Sequence, residues 1–466
     1  MQYAQSRRSL GPVDGIQYGE IAVQPHQGGD PVQYLRDWNG RTYRVGESAE
    51  RLTGHSRGYL LLSAAVAMAG AGALQYGYGA AVPAIAEMRG WSTGGVLAVL
   101  AVWTVFQAGT AFPTALLRER GALSPRHALL AGAACCLAGP LALAYAPGAL
   151  LAGAGYAVLG GIGAGLVYAT CTCTVAKWFP ERKATRVGQI TGAFGYGCVP
   201  LAAAFVLAPG STGSLLVLMG LLAAGSVLAA ALILRDPPTD WWPEHIDPRS
   251  WAASKKLNPE LAGNAPAVRQ YTAAETVASP PFPAIYTVLV IASAVSIFNA
   301  AYLTTYALGH GLAPLAVTVA IVLLIAGNGG GRALAMAISD RLGRTRTLAY
   351  VLALLGAGQL MLAAAESPAA MAAAAAVAGL GGGAFYPLFA QLAREYFGER
   401  GTDTNHALVY SGKAVAGPLG IVFAAVAVPQ WGTTAAFAPA GLLVLAAAVA
   451  VRSLRQPGRP QTLAGR

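Results

Sequence analysis

Two cations stand where a hydrocarbon environment is expected. Lys413 lies in YSGKAVAG, residues 410–417, and Arg332 in NGGGRALAMAISDRLGR, residues 328–344, each inside a run whose neighbours are apolar or small. Arg offers a planar fork that can hold a carboxylate through two bonds. Lys offers a compact charge for a second carboxylate or for the other face of the same one. An uncompensated cation at the centre of a membrane helix costs about 2.5–3.5 kcal/mol on insertion scales. No Asp or Glu falls within any of the apolar runs given below, and Glu87 and Glu366 stand at their outer ends. The two cations therefore call for an anion from outside the chain. Tyr410 precedes Lys413 by three residues and Asn328 precedes Arg332 by four, so each pair shares a helix face. Gln75, Tyr76, Tyr168 and Tyr386 would add amide and hydroxyl groups and aromatic walls; for any single tyrosine, packing is an equal alternative.

These residues need elements that cross a membrane. Of the 466 residues, 55% are hydrophobic and 11% charged, against roughly 25% charged in soluble domains. Apolar runs long enough to span a core of about 30 Å recur near 58–83, 92–117, 127–147, 149–177, 187–208, 212–234, 282–308, 312–338, 346–365, 368–393, 405–428 and 431–451. The 58 glycines, ruinous to a soluble helical protein, suit close packing of membrane helices. The expected fold is an all-α membrane protein with twelve transmembrane helices. With the N-terminus inside, Arg118, Arg120, Arg126, Lys177, Arg182, Lys183, Arg186, Arg341, Arg344 and Arg346 all face inward, and Arg89 alone lies in an outward loop. That bias places both termini in the cytoplasm and accounts for most of the net charge of +11 without nucleic acid. It also sets the two cations at one depth, each about eight residues, or roughly 12 Å, from the cytoplasmic surface, beyond easy snorkelling.

The chain divides into a cytoplasmic N-terminal extension (1–57), a first six-helix bundle (58–235), a cytoplasmic central loop (236–281), a second bundle (282–453) and a cytoplasmic tail (454–466). The loop opens with DPPTDWWPEHIDP, which suggests a segment along the membrane surface, and Thr272 with Glu275 predicts a capping box. The halves are related. Residues 161–182 align without a gap on 379–400, placing Gly161, Gly163, Gly165, Tyr168 and Arg182 on Gly379, Gly381, Gly383, Tyr386 and Arg400. Glu119-Arg120 likewise matches Asp340-Arg341. Two pseudo-symmetric halves of six helices are the architecture of a secondary transporter, with its site at the midplane between them. GIGAGL, within a membrane-length run and with no preceding strand, reads as helix packing, not as a dinucleotide fingerprint. Cys171 and Cys173 lack further ligands for a metal, and no catalytic triad or carboxylate pair assembles at one depth, so neither a metal, a cofactor nor an enzyme is expected.

Several of these stretches resemble the oxalate/formate antiporter family of the major facilitator superfamily (MFS). GAGLVYATCTCTVAKWFPERKATRVG, NGGGRALAMAISDRLGR and YSGKAVAG are similar to that family's motifs, and SDRLGRTR at 339–346 looks like the superfamily loop signature. The likeness covers roughly residues 57–455. It implies the MFS fold, a gating loop at Asp340, Arg341, Gly343 and Arg344, and an aromatic cage around a substrate bound by Arg332 and Lys413. Gly382 stands where an oxalate carrier of the family has a bulky aromatic, implying a roomier pocket. The equivalent first-half loop, LLRERGALSPRHAL, has lost the glycines of the signature. The expected function is exchange of small organic anions, oxalate- or formate-like carboxylates, by a monomer in the plasma (inner) membrane. Monocarboxylate uniport, proton-coupled symport and a membrane anion sensor stay open as alternatives. The expected partners are the carboxylate and the lipid bilayer.

Overall fold

The computed structural model describes residues 21–24, 32–37, 40–399 and 401–458. Arg400 of the repeat, and most of the expected N-terminal extension and tail, lie outside them. Among the described residues, twelve helices are long and apolar enough to cross a membrane: α1 Arg57–Arg89, α2 Thr93–Glu119, α3 Pro125–Tyr145, α4 Gly148–Trp178, α5 Pro180–Leu207, α6 Pro209–Ile233, α7 Pro281–Gly309, α8 Pro314–Leu342, α9 Arg344–Ala363, α10 Pro368–Phe397, α11 Thr402–Trp431 and α12 Thr433–Ser453. Helices are the natural solution here, because lipid offers no partner for an unpaired backbone group. Their starts are marked by serine side chains that accept from free backbone N–H groups: Ser56 from Tyr59, Ser92 from Gly95, Ser124 from His127 and Ser367 from Ala370. Proline in the first turn of α3, α7, α8 and α10 adds to this. Several helices outrun their apolar cores; α8 and α10 continue to Leu342 and Phe397 as charged turns.

The midplane is where the helices depart from regularity. α4 contains a π-helical turn at Gly155–Gly160, α2 pauses at Thr110, α5 at Gly197-Cys198 and α11 at Ser411, two residues before Lys413. Small residues let the two halves meet closely. A side chain on Gly195 would stand 2.9 Å from the Cα of Gly329, so α5 and α8 touch through backbone at that level. Gly79 of α1 meets the Ala300 carbonyl of α7, and Gly417 of α11 meets Thr104 of α2.

At the end of the bundle that carries the 234–280 connection, a three-stranded antiparallel sheet forms from β1 Ile21–Gln24, β2 Val32–Arg36 and β3 Thr42–Val45. It was not legible in the polar N-terminal sequence. Tyr43 packs edge-on to Trp242 at 4.9 Å, and Trp242 to Trp251 at 5.0 Å. Trp242 and Trp251 of the loop thus pack against the sheet residue Tyr43 and each other. The capping box forms: the Thr272 N–H donates to Glu275 at 2.8 Å and the Glu275 N–H to Thr272 Oγ1 at 3.3 Å, starting the short helix Ala273–Ala278.

Because Gly329 of α8 lies directly against the α5 backbone and the Tyr196 ring, Gly329→Val overpacks the contact and is expected to cost about 1–3 kcal/mol. A lower melting temperature of the purified protein checks this; an unchanged one would mean that the helices do not meet there.

Candidate functional site

Counting along the observed helices, Arg332 and Lys413 lie ten and eleven residues from the loop end of the bundle, or about 15–16 Å at 1.5 Å per residue. Both are 2% exposed. Neither forms an ion pair among the described residues. Each is held by neutral groups drawn largely from the opposite half. Lys413 Nζ donates to Gln75 Oε1 of α1 at 2.7 Å, to Gln107 Oε1 of α2 at 2.9 Å and to its own neighbour Tyr410 at 3.4 Å. Arg332 donates through Nη1 to the Thr191 carbonyl of α5 at 2.8 Å, and through Nη2 to Asn328 at 2.9 Å and the Tyr76 hydroxyl of α1 at 3.1 Å. Its Nε has no hydrogen-bond partner.

Aromatic rings fill the space around the charges. The Tyr386 ring lies 5.3 Å from the Arg332 guanidinium and 5.7 Å from Lys413 Nζ, so one ring stands within reach of both cations. Trp103, Phe194 and Tyr410 complete a box around the ammonium at 5.7–5.9 Å. Tyr168 stacks on Tyr410 with centroids 4.9 Å apart and planes at 13°. Such quadrupoles attract a cation yet cancel none of its charge. The cluster is therefore net positive and enclosed, a place where a small anion gains both Coulomb attraction and hydrogen bonds.

The structure brings together every residue expected to contact a substrate: Arg332, Lys413, Tyr410, Tyr386, Tyr168, Tyr76, Gln75 and Asn328. Sequence reasoning missed Gln107, Trp103, Phe194 and the Thr191 carbonyl. Gln107 carried a usable signal, a lone amide within the apolar run VWTVFQAGTAF. The aromatic pair looked like any packing residues, and a backbone carbonyl has no sequence signature.

The loop signature divides. Asp340 accepts from Arg344 at 2.5 Å and from Thr185 of α5 at 3.4 Å; Arg344 also meets Glu260 and Glu395, each at 3.0 Å. Gly343 turns the chain at φ 89°, placing the Arg344 N–H 2.9 Å from Asn264 Oδ1. Arg341 is exposed and stands apart from this cluster. In the first half, Glu119 reaches across to α11, accepting from the Thr404 N–H at 3.1 Å and its hydroxyl at 2.5 Å. The end of α2 thus meets the start of α11 as the end of α8 meets the start of α5, although the first loop lacks the glycines. A further chain of ion pairs ties the central connection to the second half: Arg394 to Glu260 at 2.7 Å and to Glu399 at 3.3 Å, with Arg41 to Glu399 at 2.5 Å.

Residues 60–348 and 284–466 match the Major Facilitator Superfamily. The chain is also similar to the oxalate:formate antiporter of Oxalobacter formigenes, 24% identical over 413 residues that cover 87% of this chain and 93% of that protein. Twelve membrane-length helices in two six-helix halves, with a polar cluster at mid-depth between them, agree with that match. The chain belongs to the Major Facilitator Superfamily, a family of membrane transporters.

Proposed function

We propose that this transporter exchanges small organic carboxylates, oxalate- and formate-like anions, across the plasma membrane by alternating access. One observation carries the reading: two cations, each 2% exposed and both within about 6 Å of the Tyr386 ring centroid, have among the described residues amide, hydroxyl and carbonyl partners and no carboxylate. The similarity to an oxalate:formate antiporter supports the same substrate class. The bundle end that carries the central connection is cytoplasmic in this reading, since the basic residues gather there.

The mechanism follows from who holds whom. Both cations belong to the second half, and their partners Gln75, Gln107, Tyr76 and Thr191 to the first. A carboxylate entering from either side takes over these bonds and supplies the missing charge. The halves then close over a neutralised site, and the loaded carrier moves more readily than one with bare cations. One anion in for another out is the consequence. At the cytoplasmic end, the contacts Asp340–Thr185 and Glu119–Thr404 cross between the halves and must break when the site opens inward.

In liposomes loaded with unlabelled anion, uptake of labelled oxalate or formate is expected by counterflow; a sensor would show none. Lys413→Ala or Arg332→Ala should lower exchange about a hundredfold or more, since each leaves a bound carboxylate short of a buried partner. Arg332→Lys should retain part of it, keeping charge but losing the fork. Full exchange in an alanine variant would remove that residue from the site.

The cytoplasmic ion cluster gives a pH prediction. Burial opposes ionisation of Glu399, but Arg41, Lys183 and Arg394 outweigh it and pull the carboxyl down to about 2. Burial also opposes Glu260, whose carboxyl Arg394 and Arg344 hold below its ordinary value. Carboxyls depressed in the folded state stabilise it above their ordinary value of 4.5, and that stabilisation is lost as pH falls from there toward 2. Glu260 is the more enclosed of the two and weighs more. Below about pH 4.5 the melting temperature should therefore fall, with a smaller fall in Glu260→Gln; an equal fall in that variant would contradict the assignment.

A further inference from the structure

The first turn of α9 carries two arginines put to opposite uses. Arg344 turns into the bundle, where Asp340, Glu260 and Glu395 meet it. Arg346 stands two residues on, about 200° around the helix, and is exposed. Arg452, at the end of α12, is exposed as well. Neither Arg346 nor Arg452 forms an ion pair among the described residues.

Packing sets these two side by side. α9 and α12 run antiparallel and meet glycine to glycine: a Cβ on Gly356 would stand 2.9 Å from the Gly441 carbonyl oxygen, and one on Gly441 would stand 3.0 Å from that of Gly356. From that crossing, Arg346 lies ten residues toward the loop end and Arg452 eleven, or about 15–16 Å along each helix. There a cavity of about 400 Å³ opens between the helices, lined by Thr345, Arg346, Ala349, Tyr350 and Arg452. One wall is well anchored. Val451 is fully buried, and just past it Gln456 donates to the carbonyls of Glu395 at 2.6 Å and Pro266 at 2.7 Å, which holds the end of α12 in place.

The surroundings select the occupant. Two guanidinium groups and no carboxylate line a cavity with room for an anion, and the planar fork of arginine matches the paired oxygens of a phosphate. Tyr350 is 60% exposed one turn along from Arg346 on the same face, with Leu354 exposed one turn deeper, and Val449 is exposed one turn before Arg452. Both helices are membrane-length spans, so these side chains face lipid, and a tyrosine near the helix end suits the boundary with water. A soluble anion gains nothing from such an apolar border. A phospholipid sets its phosphate against the arginines and its chains along the border. We propose that the cavity between α9 and the end of α12 binds the headgroup of an anionic phospholipid, its phosphodiester held by Arg346 and Arg452 and its acyl chains lying along Tyr350 and Leu354. The site is separate from the central cations and does not depend on which anion they take.

The test is titration of the purified full-length protein in neutral detergent with fluorescently labelled phosphatidylglycerol, and with phosphatidylcholine as the zwitterionic comparison. Phosphatidylglycerol should bind more tightly, and Arg346→Gln combined with Arg452→Gln should weaken it about thirtyfold, as expected for two lost attractions near the surface. Arg346→Lys combined with Arg452→Lys keeps the charge and should keep the preference. Arg120→Gln combined with Arg126→Gln removes the same charge from exposed positions elsewhere at that end and should change little. Inorganic phosphate should displace the lipid no better than chloride at equal ionic strength. Undiminished binding after loss of Arg346 and Arg452, or an equal loss after removal of Arg120 and Arg126, would overturn the site. Displacement by submillimolar phosphate would overturn the lipid as its occupant.

Discussion

Burying a positive charge in a low-dielectric interior is unfavourable unless an opposite charge shares the site, and here two cations are buried beside one aromatic ring with none. Gln75, Gln107, Asn328 and the hydroxyl of Tyr76 soften that cost through hydrogen bonds. They do not remove it, since dipoles stabilise a charge without cancelling it. The rest of the midplane can be understood from this residual. In the proposed reading an anion of the right size completes the electrostatics within the aromatic walls.

The surrounding fold lets that residual be felt by both halves at once. Glycine contacts between α5 and α8 and between α1 and α7 bring the backbones close enough for a side chain of one half to bond a group of the other. Lys413 and Arg332 do so, with the Tyr386 ring centroid 5.7 and 5.3 Å away. In the proposed exchange, their occupancy sets how well the halves fit together. At the end of the bundle that carries the central connection, ion pairs tie Asp340, Arg344, Glu260, Arg394 and Glu399 together. The contrast is informative: among the described residues these charges are paired, whereas Arg332 and Lys413 at mid-depth have no ion-pair partner.

Much of this was legible in one dimension. A charge in an apolar run is a strong signal, so Lys413 and Arg332 stood out, and helical spacing brought Tyr410 and Asn328 with them. Single amides in such runs are a weaker form of the same signal; Gln75 was read, whereas Gln107 was not. Trp103 and Phe194 were hidden because an aromatic residue in a membrane helix looks the same whether it packs or lines a site. The loop motif named four positions but could not say which arginine turns inward. Arg344 stands four residues after Asp340 and shares its face, while Arg341 follows it directly and points elsewhere. The segment after the N-terminal sheet is held by Trp241, whose indole N–H donates to the Glu47 carbonyl 194 positions away, and no local pattern records such a contact.

The central claim concerns an unmet demand for negative charge, and thermal stability in the presence of anions measures it directly. Purified protein should gain melting temperature as a small carboxylate is titrated in, following the logarithmic rise of a ligand that binds the folded state alone. A protein in which Lys413 and Arg332 are both replaced by uncharged residues should show no such rise, and without anion should melt no lower than the original. A carboxylate-dependent rise of the same size in the doubly substituted protein, or none in the original with either formate or oxalate, would contradict the account.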